Sequence, residues 1–571
     1  MPTVYQTWGL PEDLSGAPGA DEGPAPLRDP LSRRILHRRL REPGLREWLQ
    51  PQLADLLDPE ALPGAGTAAE ILERTASAGG TLAIFTDYDV DGITSATLAT
   101  EILGSLGAEV RPFVPERLSE GYGLSRPALE RLLAEGQPDL LLVLDCGTTS
   151  EAELCWLRDR GIPSVVVDHH RRLDAPTLPE GVHLLNPHLP DRAAPAFQNH
   201  CTVGLIFKVF HALLGRYEEL RARIDLRRFL DLVAVGTVAD LVSLRGENRL
   251  FVRYGLRELA RTTRPGLRAL LEASSLGDRT VLQPTDIAFR LGPRLNAGGR
   301  MESARAPLRL LLTRDPAEAR RIARLLNRLN EERRGTEDQV LTAALRQVGS
   351  EPPPGIVVAD RDWHPGVVGI VASRLARRFH RPALVLGWDG TQWKGSGRSI
   401  HGINLMEVVA ASPVAPDQWG GHPMAVGLSL HAERLEAFAQ AFAGAVDGYT
   451  GGQLPPRSLE VDALASPGEI NREAILNIES LGPYGMGHPE PVVLVPTVRL
   501  REPPALLKDT HVRFGLPGTE GVEVIGWRMA GMSPPAATPL DLALRLERDW
   551  WRGEERLRGI LLDWRPSEPI A

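Results

Sequence analysis

Three short apolar runs, each closed by acids or histidines, constrain this chain more than any other feature. TLAIF, from Thr81, leads into Asp87, Asp89 and Asp91. DLLLVL leads into Asp145, and PSVVV into Asp168, His169 and His170. Continuous apolar runs of this kind, without polar alternation, read as strands buried on both faces. Helix-period segments lie between them: GITSATLATEILGSLG, SRPALERLLAEG with Ser125 at the expected N-cap, and SEAELCWLRDRG. Such alternation predicts a doubly wound parallel sheet. Ligands of these sheets bind outside the carboxyl ends of the strands. The acids and histidines are therefore expected to meet at one edge.

The stretch TDYDVDG resembles the start of a calcium loop, with Asp87, Asp89, Asp91 and Gly92 at the first, third, fifth and sixth positions. The twelfth position, which needs a bidentate glutamate, falls on Leu98, and an apolar strand precedes the loop where an EF-hand has a helix. A catalytic centre fits better. Several carboxylates in one crevice repel one another unless cations neutralise them, and carboxylates with imidazole suit Mn²⁺, Mg²⁺ or Zn²⁺. Asp240 ends the apolar segment DLVAVGTVADLV and is a further candidate ligand. Two cations would clamp both oxygens of an in-line displacement at phosphorus, so the expected chemistry is phosphoester hydrolysis. Asp145 is the expected bridging ligand. Of His169 and His170, one is expected to ligate metal and the other to donate to a phosphoryl oxygen.

A chain of 571 residues exceeds what one core can hold. The boundaries read as a helical extension over 1–60, a catalytic α/β domain over 61–305, a connecting helix over 306–350, a second α/β domain over 351–450, and a small β-barrel over 451–571. The extension contains a basic amphipathic piece, expected to pack on the first domain. The net charge of −8 excludes a uniformly basic coat but not a local basic groove. From Arg290 through Arg334 there are 12 arginines against 5 acids, which reads as a charged helix beside a substrate channel. The start lacks a secretory signal, no apolar stretch reaches membrane length, and Cys146, Cys155 and Cys201 show no metal-binding spacing. A reducing cytoplasm is the expected compartment.

Arginine suits bidentate phosphate contacts, so Arg117, Arg294 and Arg300, the last two flanking Asn296, are candidates for binding successive phosphates of a substrate. Ser396 and Arg398 lie in GSGRS, where glycines let backbone N–H groups approach a phosphate. Tyr122 is a candidate for stacking on a base, and His422 in GGHP for shaping the channel.

The motifs DYDVDG, DCG, DHH and GTVADLV, in that order, resemble those of the DHH phosphoesterase superfamily. EGYGLS, FRLGPRLNAGGRM, WHPGVVGIVASRL, GSGRSI, GGHPMAVGLSL and LGPYGMGHPEP resemble the bacterial RecJ single-strand exonucleases. The resemblance implies a DHH domain, a long connecting helix, a DHHA1 domain and an OB-type barrel. It implies digestion of single-stranded DNA from a free 5′ end to mononucleotides, with Mn²⁺ or Mg²⁺, in recombination and repair. Single-strand-binding protein and a RecQ-type helicase are the implied partners. By motif match, Asp89 and Asp91 are the aspartate pair with Asp87 beside them. By the same match Asp145, His169 and Asp240 are the expected metal ligands, His170 the substrate-facing histidine, and Asp168 a support. This chain has Thr86 where the family often has glycine, NAGGR at 296–300 where NAAGR is frequent, and His488 where asparagine is common. On the same metal centre, a phosphodiesterase for short RNA or cyclic dinucleotides is the rival enzyme, and a non-catalytic DNA-binding scaffold is the other alternative.

Overall fold

A computed structural model describes residues 4–10, 27, 29–39, 49–116, 120, 123–172, 174–301, 305–551 and 554–567; for 300, 301 and 551 it describes the backbone. The chain divides into two compact units, one holding residues 10–327 and 460–571, the other residues 4–9 and 328–459.

The first unit is organised by strand β1 (Thr81–Thr86), helix α1 (Val90–Ser105), and strands β2 (Glu109–Phe113), β3 (Leu140–Leu144), β4 (Ser164–Val167) and β5 (Val182–Leu185). The strands lie in the order β2-β1-β3-β4-β5 and every pairing is parallel. The order reverses at β1, so the crevice between β1 and β3 is a topological switch point. Register then aligns the strand ends: Thr86 pairs with Leu144, and Leu144 with Val167. Backbone bonds carry the ladder one residue further, from Asp87 N to Leu144 O (3.3 Å), Asp145 N to Val167 O (3.0 Å) and Asp168 N to Leu185 O (3.1 Å). One face of the sheet (Ala83, Phe85, Leu141, Val143, Val166) packs on Leu129, Leu154 and Leu157 of the covering helices.

Ser125 holds the N-cap position of the helix Arg126–Ala134, but its side chain makes no cap hydrogen bond. Pro127 in the first turn already removes one N–H that such a cap would serve. A helical region follows, with α2 (Thr202–Arg216), α3 (Leu230–Ala239), α4 (Glu247–Ala260) and α5 (Gly292–Met301). Helix α3 crosses α1 closely because Gly236 carries no side chain: a Cβ there would stand 2.5 Å from Thr94 Oγ1 and 2.7 Å from Val203 Cγ1. The chain leaves the first unit along α6 (Pro316–Val348).

The second unit contains β6 (Ile356–Asp360), a helix Pro365–Phe379, β7 (Ala383–Trp388), β8 (Trp393–Arg398), β9 (Gln418–His422) and β10 (Ala425–Leu430), in the sheet order β9-β10-β8-β7-β6. Only β6 and β7 pair in parallel.

The C-terminal part of the first unit is a β domain of strands β11 (Ala463–Leu464), β12 (Val493–Arg499), β13 (Ala505–Leu507), β14 (His511–Gly515), β15 (Glu523–Gly526), β16 (Pro539–Trp551) and β17 (Glu554–Pro566). Their order in the sheet is β11-β12-β16-β17-β15-β14-β13. The N-terminal helix Pro30–Arg39 packs on this domain rather than on the first α/β domain. Ser32 Oγ donates to Ala474 O (3.3 Å), and Arg34 and Arg39 pair with Glu469 and Asp462 (2.7 Å each). The expected amphipathic face is present, but its apolar partners come from the opposite end of the chain. Among the described residues, no helix is long and apolar enough to cross a membrane.

Candidate active site

The loop after β1 is built around one glycine. A Cβ on Gly92 would lie 2.5 Å from Asp87 O and 2.7 Å from Thr86 Oγ1, so α1 can start this close to the strand only without a side chain there. Asp89 caps α1, accepting from Gly92 N (3.2 Å). Asp91, in the first turn, turns inward and is buried. Its two oxygens accept from Thr202 N (2.6 Å) and Val203 N (2.8 Å) at the start of α2. A carboxylate at a helix N-terminus is favoured by the exposed N–H groups and the helix dipole.

Asp145 has φ +63°, in the left-handed region, which costs a non-glycine residue about 1–2 kcal/mol. This backbone turns the chain off β3, and Thr202 Oγ1 donates to Asp145 Oδ1 (3.0 Å). His169 Nε2 lies 3.4 Å from Asp145 Oδ1, 3.6 Å from Asp240 Oδ2 and 3.9 Å from Asp91 Oδ2. Asp168 does different work. Buried, it accepts from the backbone N–H groups of Thr148 (3.0 Å), His169 (2.8 Å) and His170 (3.2 Å), and its Oδ1 holds His170 Nδ1 at 2.7 Å.

Three sets of donor atoms, from Asp87/Asp89/Asp145, Asp145/His169/His170 and Asp91/Cys201/Asp240, each lie within 4.8 Å of one another. Ligands bound to one octahedral ion at about 2.1 Å stand about 3 Å apart, so small contractions would close them on cations. Cys201 is the exception in chemistry: its Sγ faces Thr237 Oγ1 (3.7 Å), and burial pushes its thiol up, keeping it neutral.

Charge balance points the same way. Burial raises Asp145 well above the ordinary aspartate range, and the charges of Asp91, Asp89, Asp240 and Asp87 add to it. Asp240 is raised by burial and by Asp91 and Asp89, and Asp91 by burial against the pull of His169. Asp240 Oδ2 is buried and takes no hydrogen bond among the described residues. A divalent cation would relieve both the repulsion and this unsatisfied oxygen, so the residues present fit one. Burial holds His169 below its ordinary value, which favours the neutral imidazole that ligates metal. His170 goes the other way. Burial lowers it, but the hydrogen bond and charge of Asp168, with Asp240 and Asp87, outweigh burial and lift it to about 9. In return His170 helps hold Asp168 below the usual carboxylate range against its burial.

The structure thus brings Asp87, Asp89, Asp91, Asp145, His169, His170 and Asp240 to one edge of one sheet. Helix α5 comes beside them: a Cβ on Gly299 would stand 3.1 Å from the ring of Tyr88, between the first two acids. Asn296 lies half-buried on α5, whereas Arg294 donates to Asn327 Oδ1 (2.9 Å) and Arg290 O (2.7 Å). Arg117, Tyr122 and the side chain of Arg300 lie outside the described residues. In the second unit, Arg398 donates to Ser396 Oγ and Gly397 O (2.7 Å each), and both side chains cover Gly369 of the helix Pro365–Phe379. His422 ends β9 and is exposed. Sequence reasoning missed Thr202, which touches two of the acids. Its only signal was its place at the start of a helix, which dozens of residues share. It also missed Asn186, whose Nδ2 donates to Thr148 Oγ1 and His170 O (2.9 Å each) behind the histidines.

A parallel α/β domain with acids and paired histidines at its switch point defines a DHH-type protein, and residues 81–237 match the DHH family, N-terminal domain. Residues 352–447 match the DHHA1 domain and 461–563 the RecJ OB domain. The chain belongs to the RecJ family. It is 37% identical to the single-stranded-DNA-specific exonuclease RecJ of Dickeya dadantii, over 80% of this chain and 82% of that protein. To the protein of the same name from Bacillus subtilis it is 36% identical, over 82% of this chain and 59% of the longer relative. The crystal structure of RecJ in complex with Mn²⁺ from Thermus thermophilus superposes with a TM-score of 0.78 at 32% identity, covering 95% of this chain and 76% of that one.

Proposed function

We propose that this chain is a metal-dependent exonuclease that hydrolyses single-stranded DNA from a free 5′ end to mononucleotides, in recombination and repair. The observation that carries the reading is the meeting of five aspartates and two histidines at one edge of the parallel sheet. The names of the relatives, and the Mn²⁺ of the Thermus structure, support it.

Asp87, Asp89, Asp91, Asp145, His169 and Asp240 would hold two divalent cations, Mn²⁺ or Mg²⁺, with Asp145 shared by two of the three donor sets. The chemistry such a pair supplies is neutralisation of the phosphoryl oxygens and activation of water near neutral pH. Thr202 fixes the Asp145 carboxylate and, through its backbone, Asp91. The hydrogen bond and charge of Asp168 favour the protonated form of His170, which is more open than His169, with 36% against 16% of its side chain exposed. It would present that imidazole to a phosphate, and Asp168 keeps it in place. Arg294, Asn296 and Arg300 on α5, Arg117 and Tyr122, and Ser396, Arg398 and His422 of the second unit are the proposed contacts to the strand. Single-strand-binding protein and a RecQ-type helicase are the proposed partners, on the family resemblance. The free cysteines Cys146, Cys155 and Cys201 fit a reducing cytoplasm.

The test is timed digestion of an end-labelled single strand, with each end blocked in turn and Mn²⁺ varied. The parent should release mononucleotides only from an open 5′ end, and Asp145→Ala should abolish release. Equal digestion by Asp145→Ala, or faster cleavage of a cyclic dinucleotide than of the strand, would refute the reading.

A further inference from the structure

Asp240 is held differently from Asp89, Asp91 and Asp145. Asp89, Asp91 and Asp145 each accept a hydrogen bond from protein, while Asp240 Oδ2 takes none among the described residues. Its carboxylate, 3.6 Å from His169 Nε2, therefore depends for its position on the turn that carries it. Asp240 ends α3, and the next residue, Leu241, has φ +61°. A leucine in the left-handed region persists only where its surroundings impose the conformation.

The residues that follow this turn are held by the C-terminal β domain. Its loop LGPYGMGHPEP, residues 481–491, seats on the segment just after Asp240. Leu244 N donates to Met486 O (2.8 Å) and Arg245 Nε to Gly487 O (2.7 Å). Arg249, buried on α4, donates to Leu481 O (3.0 Å) and Gly482 O (2.9 Å), and Arg253 reaches Ser480 O (3.2 Å). The two inner glycines permit the fit. A Cβ on Gly485 would lie 2.6 Å from Leu244 Cδ1. One on Gly487, at φ +70°, would lie 2.1 Å from Ser243 Oγ and 3.0 Å from Ser243 Cβ. The loop is stiff in itself, closed by Gly485 N to His488 O (2.8 Å) and by the Tyr484 and His488 rings at 4.9 Å. The family's frequent asparagine is here a buried histidine whose Nε2 meets Leu481 O at 3.2 Å.

We propose that the 481–491 loop is a positioning element for Asp240: by clamping residues 243–245 it fixes the strained turn that presents this carboxylate to the cations. The inference rests on the metal reading above and adds that the C-terminal domain helps build the metal centre. Arg245, Arg249, Gly485 and Gly487 act through Asp240 and touch no reacting atom.

The test is a double-mutant cycle on the full chain, read by Mn²⁺ affinity from the electron paramagnetic resonance of free Mn²⁺. Gly487→Ala and Arg245→Ala are each combined with Asp240→Asn, and far-UV circular dichroism checks the fold. Arg245 is exposed, so its variant remains informative if Gly487→Ala does not fold. Each loop variant should weaken Mn²⁺ binding about tenfold, the scale of lost outer-shell support, and should have no further effect once Asp240 is Asn. Unchanged affinity in folded Arg245→Ala, or an equal loss in the Asp240→Asn background, overturns the inference. A parent that takes up no Mn²⁺ overturns the metal reading as well, which separates the two failures.

Discussion

Thr202→Val tests the centre at its most specific point. Thr202 is fully buried and its hydroxyl donates to Asp145 Oδ1 at 3.0 Å, while its backbone N–H serves Asp91. Valine keeps the branched shape and the backbone donor and removes only the hydroxyl. A hydrogen bond to a charged group is worth about 1.5–3 kcal/mol net. At about 1.4 kcal/mol per decade, Mn²⁺ affinity should fall about 10- to 100-fold, in line with lost outer-shell partners elsewhere. The loss should also depend on pH. Burial and four neighbouring aspartates already hold Asp145 well above its ordinary value, and removing a donor to its charged form raises it further. Proton competition with Mn²⁺ should then extend to higher pH in the variant. Isothermal titration at several pH values reads both effects, and Thr202→Ser, which restores the hydroxyl, should recover most of the affinity. A Thr202→Val protein that binds Mn²⁺ like the parent at every pH, or a serine variant no better than valine, would refute the reasoning.

Three further outcomes follow from the same geometry. Because Asp91, Asp145 and Asp240 are raised in the folded chain, that state binds more protons than the unfolded one. The metal-free protein should lose stability as pH rises from the ordinary aspartate value of 3.8 through the raised values, and saturating Mn²⁺ should suppress the loss; melting temperatures flat in pH without metal would contradict this. Asp168→Asn removes the charge that lifts His170 to about 9 and keeps one acceptor oxygen for the N–H groups of His169 and His170, so the alkaline limb of activity should move to lower pH, as read from rate against pH and from His170 proton resonances. Glu247 accepts from Lys208 Nζ (2.8 Å), His200 Nε2 (3.0 Å) and Leu57 N (2.8 Å) in the core, so Glu247→Leu strands a buried lysine and should cost about 3–5 kcal/mol in urea unfolding.

The class of the first domain was legible because its signals are local. Continuous apolar runs place β1, β3 and β4, and the helix periods between them force parallel pairing. Register carries the residues after those strands to one edge without further information, so Asp87, Asp145 and Asp168 could be grouped from the sequence. Ser125 shows the limit of local signals: it occupies the cap position but does not cap. The amphipathic helix Pro30–Arg39 was equally legible as a helix, yet its partner is more than four hundred residues away, at Ala474.

What the sequence determined by itself is the set of strands, the helices between them and the acids at the strand ends, since strand and helix periods and the residues that follow them depend on neighbours along the chain. Only the tertiary structure decided which groups hold those acids: Thr202 under Asp145, the start of α2 under Asp91, Asp168 behind His170, and the 481–491 loop under the turn of Asp240. These contacts depend on how helices and the C-terminal domain pack across long separations, where a glycine or a threonine has no pattern to announce it and only the distance to its neighbour shows what it does.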